Sequence, residues 1–245
     1  MNNKIIKVHS IATLSAVDGP GIRCTVFLAG CPLRCAYCHN PDTWNAKNST
    51  AYTTDELLVK LMRYAPYFGD GGGVTFSGGE PFVQAEAMLD LIQKLKENNI
   101  HVAIDTAGCV SNSFVEDILK MKPLLLLDIK MPDEARYEHY IGGTLRSALQ
   151  TLALAEKYGC EIWIRYVVVP TLNDAPEDIM EIIDIANRHK NVTNLSLLPY
   201  HTMGVSKYEA LGMAYTLKTI EPPDEEQMRS LNTVVKSHFH AGRQS

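Results

Sequence analysis

The sequence of 245 residues predicts an α/β fold, specifically a partial (β/α)6 barrel of parallel strands with helices on the outside. Apolar runs alternate with amphipathic stretches about six times, which indicates repeated strand–helix units. The runs are continuously apolar, as is typical of parallel strands covered on both faces. Six units fall short of the eight in a closed barrel, so we expect an open one. A doubly wound sheet is the alternative, although no G-x-G-x-x-G follows a strand.

The elements can be placed in order from their patterns. Each predicted strand is an apolar run that stops at a polar residue, a glycine or a proline, and these runs cover residues 22–29, 73–76, 100–104, 124–127, 162–169 and 192–198. The first helix begins at a cap formed by Thr53 or Thr54. The predicted helices are 54–67, 84–98, 113–120, 136–158 with an interruption near Gly142-Gly143, about 175–189, and 224–239.

Composition narrows the classes of function. The chain is 46% hydrophobic and 21% charged, which is ordinary for a globular protein, and we expect residues 1–245 to form a single domain. A net charge of −5 argues against nucleic acid as the main partner. No apolar run approaches the roughly 20 residues that cross a bilayer, and the N-terminus lacks a signal core. We therefore expect a cytoplasmic protein without a membrane partner.

Three cysteines, Cys31, Cys35 and Cys38, lie in one tight loop (residues 31–38) directly after the first predicted strand. They are one ligand short of the four that an iron–sulfur cluster usually takes, so one iron would stay open to an exogenous ligand. Zinc bound by these cysteines and His39 is an alternative, although structural zinc ligands normally come from two separated pairs. Covalent haem would leave Cys31 unexplained, and a disulfide does not suit a cytosolic chain.

Polar residues stand in or just past the carboxyl ends of the later strands. They are Ser77-Gly78-Gly79-Glu80, Asp105-Thr106, Asp128-Ile129-Lys130, Arg165 and His201. Ligands bind at this end of parallel sheets, and a charge beside a buried strand is costly unless it is paired or meets a ligand. Taken singly, Asp105 and Asp128 equally fit capping or turn positions. Taken together, the residues predict one site.

The cysteine spacing, with Tyr37 before the last cysteine, resembles the signature of the radical S-adenosylmethionine superfamily, and Gly78-Gly79-Glu80 resembles its GGE motif. Further segments resemble the glycyl-radical enzyme activases within that superfamily; they are residues 18–23, 37–40, 71–75, 163–170 and 197–201. Many of these activases carry a ferredoxin-like insert with extra cysteines before the GGE motif. This chain has no cysteine there and matches the short type that acts on pyruvate formate-lyase.

The resemblance implies a role for particular residues. Cys31, Cys35 and Cys38 would bind three irons of a catalytic 4Fe-4S cluster, and S-adenosylmethionine would chelate the fourth. The implied S-adenosylmethionine site consists of Tyr37, Cys38, His39, Gly78, Gly79, Glu80, Asp105, Asp128, Ile129, Lys130 and His201. Asp105 and Asp128 could also ligate a monovalent cation. Asp18, His39 and Arg165 would face the protein loop that carries the target glycine.

The implied activity is that of an oxidoreductase in anaerobic glucose and pyruvate metabolism. Reductive cleavage of S-adenosylmethionine at the cluster would lead to hydrogen abstraction from a glycine Cα of pyruvate formate-lyase, giving a glycyl radical. Reduced flavodoxin or ferredoxin would supply the electron. The alternatives are an activase of another glycyl-radical enzyme, a radical enzyme acting on a small metabolite, and a non-catalytic iron–sulfur redox protein. The last does not explain the polar residues at the strand ends.

Overall fold

Six parallel strands form one continuous part of the sheet in the computed structural model, which describes residues 3–242. They are β2 (Arg23–Leu28), β4 (Gly73–Gly78), β5 (His101–Thr106), β6 (Leu124–Asp128), β7 (Ile162–Val168) and β8 (Val192–Pro199). The strand order β2-β4-β5-β6-β7-β8 follows the chain. The prediction of a partial (β/α)6 barrel is therefore confirmed.

Two further strands, β1 (Ile5–Ser15) and β3 (Thr50–Thr53), were not predicted. They extend the sheet to eight strands in the order β3-β1-β2, and both pair antiparallel. The first half of β1 alternates exposed and buried residues. A search for continuous apolar runs misses such a half-buried strand, because only one of its faces contributes to the core.

The helices cover the outside of the sheet, beginning with α1 (Thr54–Met62), which ends earlier than predicted and is followed by a short 3-10 turn. The predicted interruption is present, because Gly142 adopts a left-handed conformation with φ of 72° and ends one helix. The remaining helices are α2 (Ala85–Glu97), α3 (Ser113–Lys120), α4 (Glu134–Ile141), α5 (Leu145–Tyr158), α6 (Pro176–Asn187), α7 (Val205–Ala210) and α8 (Glu225–His238). The short helix α7 was not predicted.

The two faces of the sheet are filled differently. The outer face packs against the helices in one large apolar core. The inner face carries a small apolar cluster of Ala103, Leu124 and Leu126, with Trp163 against it. In-register pairing across the parallel strands places the side chains of this face in layers, so that the polar residues near the carboxyl ends lie above the apolar cluster. No helix in residues 3–242 is long and apolar enough to span a bilayer.

Candidate active site

Backbone hydrogen bonds to two neighbouring segments hold the cysteine loop in place. Its first residues bind the 3-10 turn Pro41–Thr43 and the residue after it, and its middle binds the end of α4. The hydrogen bonds run from Gly30 N to Thr43 O (2.7 Å), Cys31 N to Trp44 O (3.3 Å), Arg34 N to Ile141 O (2.9 Å) and Ala36 N to Tyr140 O (2.7 Å). Because amide and carbonyl groups hold the loop, the cysteine side chains are not needed for its fold.

The glycines of the GGE motif bring the end of β4 directly against this loop. A Cβ at Gly78, where φ is +110°, would lie 2.4 Å from the backbone nitrogen of Leu28. A Cβ at Gly79 would lie 2.2 Å from the carbonyl oxygen of Gly30. Neither position accepts a side chain, because its neighbours are backbone atoms that cannot move aside. The two glycines therefore set the distance between the loop and the strand end.

The thiols fit an iron–sulfur cluster better than a single metal ion. All six cysteines are free, and those of the loop are buried or half-buried. Burial raises the pKa of Cys31 to about 11 and that of Cys35 to about 12, so a bound metal must displace their protons. Residues 3–242 hold no group of three or more His, Cys, Asp or Glu side chains gathered around one ion. Three separate thiols suit a cluster that offers a different iron to each.

The strand ends carry a buried network of charges. Arg165 pairs with both Asp105 and Asp128, and its Nε donates to Asp128 Oδ1 at 2.9 Å. Lys130 Nζ donates to Asp128 Oδ2 at 3.0 Å. Ser77 Oγ donates to Asp105 Oδ2 at 2.5 Å. Two carboxylates and two cations thus meet at the carboxyl ends of three neighbouring strands, β5, β6 and β7, where each of these side chains is at most 16% exposed.

The two carboxyl groups of this network differ electrostatically. Burial raises the pKa of both, but at Asp128 the charges of Arg165 and Lys130 outweigh it and lower the pKa to about 2. At Asp105 burial dominates over Arg165 and the pKa stays above its ordinary value. Burial also opposes the charge of Lys130, yet the Asp128 carboxylate raises the Lys130 pKa well above its ordinary value. The network therefore keeps both of its cations charged.

Aromatic side chains form the mouth of the site. The Tyr37 hydroxyl donates to the Lys130 carbonyl at 3.0 Å and so joins the cysteine loop to the end of β6. His39 and His201 meet edge to face, with ring centroids 4.4 Å apart. Burial, and then the neighbouring His201, lower the pKa of His39. Near neutral pH this His39 ring is uncharged, which suits contact with an uncharged base or peptide group.

These parts enclose one cavity of about 250 Å³. The cavity brings together most of the predicted site residues, namely Cys31, Cys35, Tyr37, Cys38, His39, Gly78, Gly79, Asp105, Asp128, Lys130, Arg165 and His201. Ser77 and Thr106, which the sequence placed among the polar residues at the strand ends, line the cavity as well. The remaining lining residues were not assigned to the site from the sequence; they are Leu33, Asn40, Thr43, Trp44, Ala107, Val167, Leu198, Pro199 and Tyr200. Asn40 and Tyr200 adjoin the predicted residues His39 and His201, and this adjacency was the available signal.

Two predicted residues lie behind the cavity wall. Glu80 is 1% exposed, and its carboxylate accepts from the Thr106 hydroxyl at 2.6 Å and the Ala107 amide at 3.0 Å. Burial raises its pKa. Glu80 thus joins the end of β4 to the end of β5. Ile129 is fully buried in the outer core, because residues alternate between the two faces and only its neighbours Asp128 and Lys130 line the cavity.

Asp18 also lies outside the cavity lining. It belongs to the connection between β1 and β2, and its carboxylate accepts from the hydroxyls of Ser15 at 2.6 Å and Thr25 at 2.7 Å. The Asp18 carbonyl accepts from Thr75 Oγ1 at 2.7 Å. Thr75 precedes Ser77 by two residues on the same face of β4, so Asp18 lies one layer below the charged network.

Comparison with known proteins agrees with this geometry. Residues 25–199 match the family model of the radical SAM superfamily. The chain is 47% identical over 231 residues to the pyruvate formate-lyase-activating enzyme of Clostridium pasteurianum, covering 94% of this chain and 97% of that one. It is 40% identical to the corresponding enzyme of Staphylococcus epidermidis, covering 91% of this chain and 92% of that one.

Solved structures share the fold. A domain of a pyruvate-formate lyase-activating enzyme from Bacteroides vulgatus superposes with a TM-score of 0.54 at 22% identity, covering 69% of this chain and 95% of that one. Streptococcus suis SuiB bound to its precursor peptide SuiA superposes with a TM-score of 0.66 at 21% identity, covering 84% of this chain and 43% of that one. At such identities the likeness concerns the fold alone.

The fold and the cysteine-lined cavity are those of a radical S-adenosylmethionine enzyme, a class that works with a 4Fe-4S cluster and S-adenosylmethionine. Within that class, the chain belongs to the family of pyruvate formate-lyase-activating enzymes.

Proposed function

We propose that this chain activates pyruvate formate-lyase by installing a glycyl radical on it. The observation that carries the proposal is the single cavity in which three loop thiols face a network of paired charges. When bound, the 4Fe-4S cluster supplies the electron that cleaves S-adenosylmethionine, and hydrogen abstraction from the glycine Cα follows. Cys31, Cys35 and Cys38 are the residues that would hold three of its irons.

The charged network suits the methionyl end of S-adenosylmethionine, which carries an ammonium and a carboxylate group. Asp105 and Asp128 offer acceptors to the ammonium, while Lys130 and Arg165 offer donors to the carboxylate. These side chains already neutralise one another, so the ligand can exchange into the network without leaving an unpaired buried charge. The same two carboxylates are where a monovalent cation would bind.

The wall of the cavity supports this ligand from two further directions. Gly78 and Gly79 expose backbone at the strand end, and the buried Glu80 holds that backbone against Thr106 and Ala107. Glu80 thus acts by positioning. The rings of Tyr37, His39 and His201 at the mouth suit the adenosyl group.

The protein substrate would approach past His39 and Arg165, which line the cavity. Asp18 belongs to this approach only if the incoming loop reaches one layer deeper into the open barrel. No cysteine lies between the cysteine loop and β4, so this segment offers no thiolate for a second cluster. An external donor such as reduced flavodoxin or ferredoxin would supply the electron. We infer that the chain acts as a single cytoplasmic domain, without nucleic acid or membrane as a partner.

The test is electron paramagnetic resonance of the anaerobically reconstituted, reduced protein mixed with S-adenosylmethionine and pyruvate formate-lyase. We expect the doublet of a glycyl radical on pyruvate formate-lyase, with 5′-deoxyadenosine formed in parallel. A variant of pyruvate formate-lyase that lacks the target glycine is the control and should give no doublet.

Two other outcomes would contradict the proposal. Formation of 5′-deoxyadenosine without the doublet would retain the radical chemistry but assign another substrate. Absence of both products from protein with a full complement of iron and sulfide would favour a non-catalytic redox protein.

A further inference from the structure

Two buried hydroxyl groups have no partner in the protein. Within residues 3–242, the only buried side-chain nitrogen or oxygen atoms without a hydrogen bond are the hydroxyls of Tyr137 and Tyr208. Tyr137 is fully buried and Tyr208 is 4% exposed. A buried hydroxyl without a partner costs free energy, and native proteins rarely keep one without a reason. Both tyrosines lie beside the cysteine loop, although they belong to different helices.

Tyr208 lies on α7, which packs against the end of the loop. Gly204 is the residue before α7, and a Cβ added there would lie 3.3 Å from the carbonyl oxygen of Cys38. The Tyr208 ring meets Trp44 edge to face at a centroid distance of 6.0 Å, and the Trp44 carbonyl accepts from the amide of Cys31. The amide of Cys38 lies near the Tyr208 oxygen but donates to the Cys35 carbonyl at 3.1 Å. An amide N–H cannot accept a proton, so the O–H of Tyr208 remains without an acceptor.

Tyr137 lies on α4, whose last turn accepts two amides of the loop. A Cβ at Gly143 would lie 2.6 Å from Leu33 Cδ2 and 3.8 Å from Tyr137 Cε1, which places the Tyr137 ring close to Leu33 of the loop. Burial raises the pKa of Tyr137 and the nearby Cys35 thiol adds to it, whereas Lys130 lowers it. A tyrosine with a raised pKa stays protonated and can only act as a donor toward an anion.

We propose that the hydroxyls of Tyr137 and Tyr208 donate hydrogen bonds to sulfur atoms of the iron–sulfur cluster and thereby raise its reduction potential. The inference rests on the proposed cluster at Cys31, Cys35 and Cys38. Both hydroxyls lack an acceptor. Sulfide and thiolate sulfurs carry negative charge and can accept hydrogen bonds from them. Reduction adds one more negative charge to the cluster, so each donor stabilises the reduced form more than the oxidised form.

The experiment is a redox titration of the cluster-loaded protein without S-adenosylmethionine, followed by electron paramagnetic resonance. Y208F and Y137F remove one hydroxyl each. We expect each variant to have a more negative midpoint potential, with an about tenfold lower ratio of reduced to oxidised cluster at a fixed potential, equivalent to about 59 mV. Electron–nuclear double resonance after exchange into D2O should show one exchangeable proton fewer near the reduced cluster.

Tyr166 provides the matched control. It is also fully buried, but its hydroxyl donates to the Asn173 carbonyl at 3.0 Å and so already has its acceptor within the protein. Y166F should therefore destabilise the fold and leave the potential unchanged. The proposal is overturned if Y208F and Y137F both load the cluster and keep the wild-type potential and proton couplings. A wild-type chain that binds no cluster would overturn the proposed function as well, so the two failures are distinguishable.

Discussion

The cysteine loop and the charged strand ends form two halves of one cavity, but they are held in place by different means. Backbone hydrogen bonds fix the loop, and its thiols are free for a ligand. At the strand ends, the side chains hold one another through the pairs of Arg165 and Lys130 with Asp105 and Asp128. The cysteine loop therefore keeps its conformation without its thiols. The charged strand ends depend for their structure on the same side chains that would bind a ligand.

This difference predicts how each half responds to substitution. Loss of a loop thiol should remove function and leave the fold intact. Loss of a network residue should affect both, because its partner becomes an unpaired buried charge.

The largest effect is expected for C35A. The cluster would lose one of three ligands, so we expect no cluster and no formation of 5′-deoxyadenosine, while thermal unfolding of the cluster-free protein changes little. The measurements are iron and sulfide content, product formation and circular dichroism. C160A is the control, because Cys160 is buried and donates to the Leu119 carbonyl at 3.2 Å, outside the cavity; it should keep the cluster. Turnover by C35A would disprove the role of the loop.

The next largest effect is expected for R165M, because this substitution leaves Asp105 and Asp128 buried without their shared cation. We expect a loss of about 3–5 kcal/mol in the free energy of unfolding, together with weaker binding of S-adenosylmethionine. Urea denaturation and calorimetric titration measure the two effects. R165K keeps the charge but loses the planar, rigid arrangement of N–H donors that a guanidinium offers to carboxylates, so it should lie between wild type and R165M. Normal stability of R165M would show that the network is not structural.

G78A should cost about 3 kcal/mol, because its Cβ would meet the Leu28 backbone at 2.4 Å and the residue has a positive φ of +110°. Cluster content should fall in parallel, since the strand end and the loop are in direct contact. Gly212 separates the effect of the positive φ from that of the steric contact. Its φ is +67°, but a Cβ added there would meet no atom within 4 Å. G212A should therefore cost only about 1–2 kcal/mol and leave the cluster content unchanged.

The smallest effect concerns acid. The pKa of Asp128 is lowered to about 2, so between pH 4 and pH 2 the native state binds fewer protons than the unfolded chain. Its stabilising contribution, on the order of 2 kcal/mol, is present above pH 4 and is lost as the pH falls toward 2. Urea denaturation of the cluster-free protein at several pH values should show this decrease.

D128N should abolish that decrease. D105N should keep it, because burial raises the Asp105 pKa and moves its titration to higher pH. Equal acid profiles for the two variants would contradict the electrostatic difference between the carboxyl groups.

The sequence identified the parallel core because six strands buried on both faces leave continuous apolar runs. It also identified the cysteine loop and the charged strand ends, because charges beside buried strands stand out. It did not reveal that the Glu80 carboxylate lies behind the cavity wall, because a sequence does not show which groups a carboxylate accepts hydrogen bonds from. The sequence also did not reveal that Asp18 lies one layer deeper than the cavity. The depth of a connection depends on hydrogen bonds such as those from Ser15 and Thr25, which a sequence does not show.

The orphan hydroxyls of Tyr137 and Tyr208 show a further limit. A tyrosine at a helical core position looks like ordinary apolar packing in a sequence. Only the absence of an acceptor around a buried oxygen distinguishes it, and that absence is a property of the surrounding atoms in three dimensions.

The open edge of the barrel has a consequence for what can be brought to the cavity. Within residues 3–242, β3 and β8 lie at opposite ends of the strand order and do not pair with each other. A closed cylinder can be entered only from its ends, which suits small molecules. A cylinder with a slit along its side can admit the middle of a polypeptide sideways, without threading a free chain end. The incomplete strand count is thus compatible with a protein substrate that presents an internal residue, as the proposed function requires.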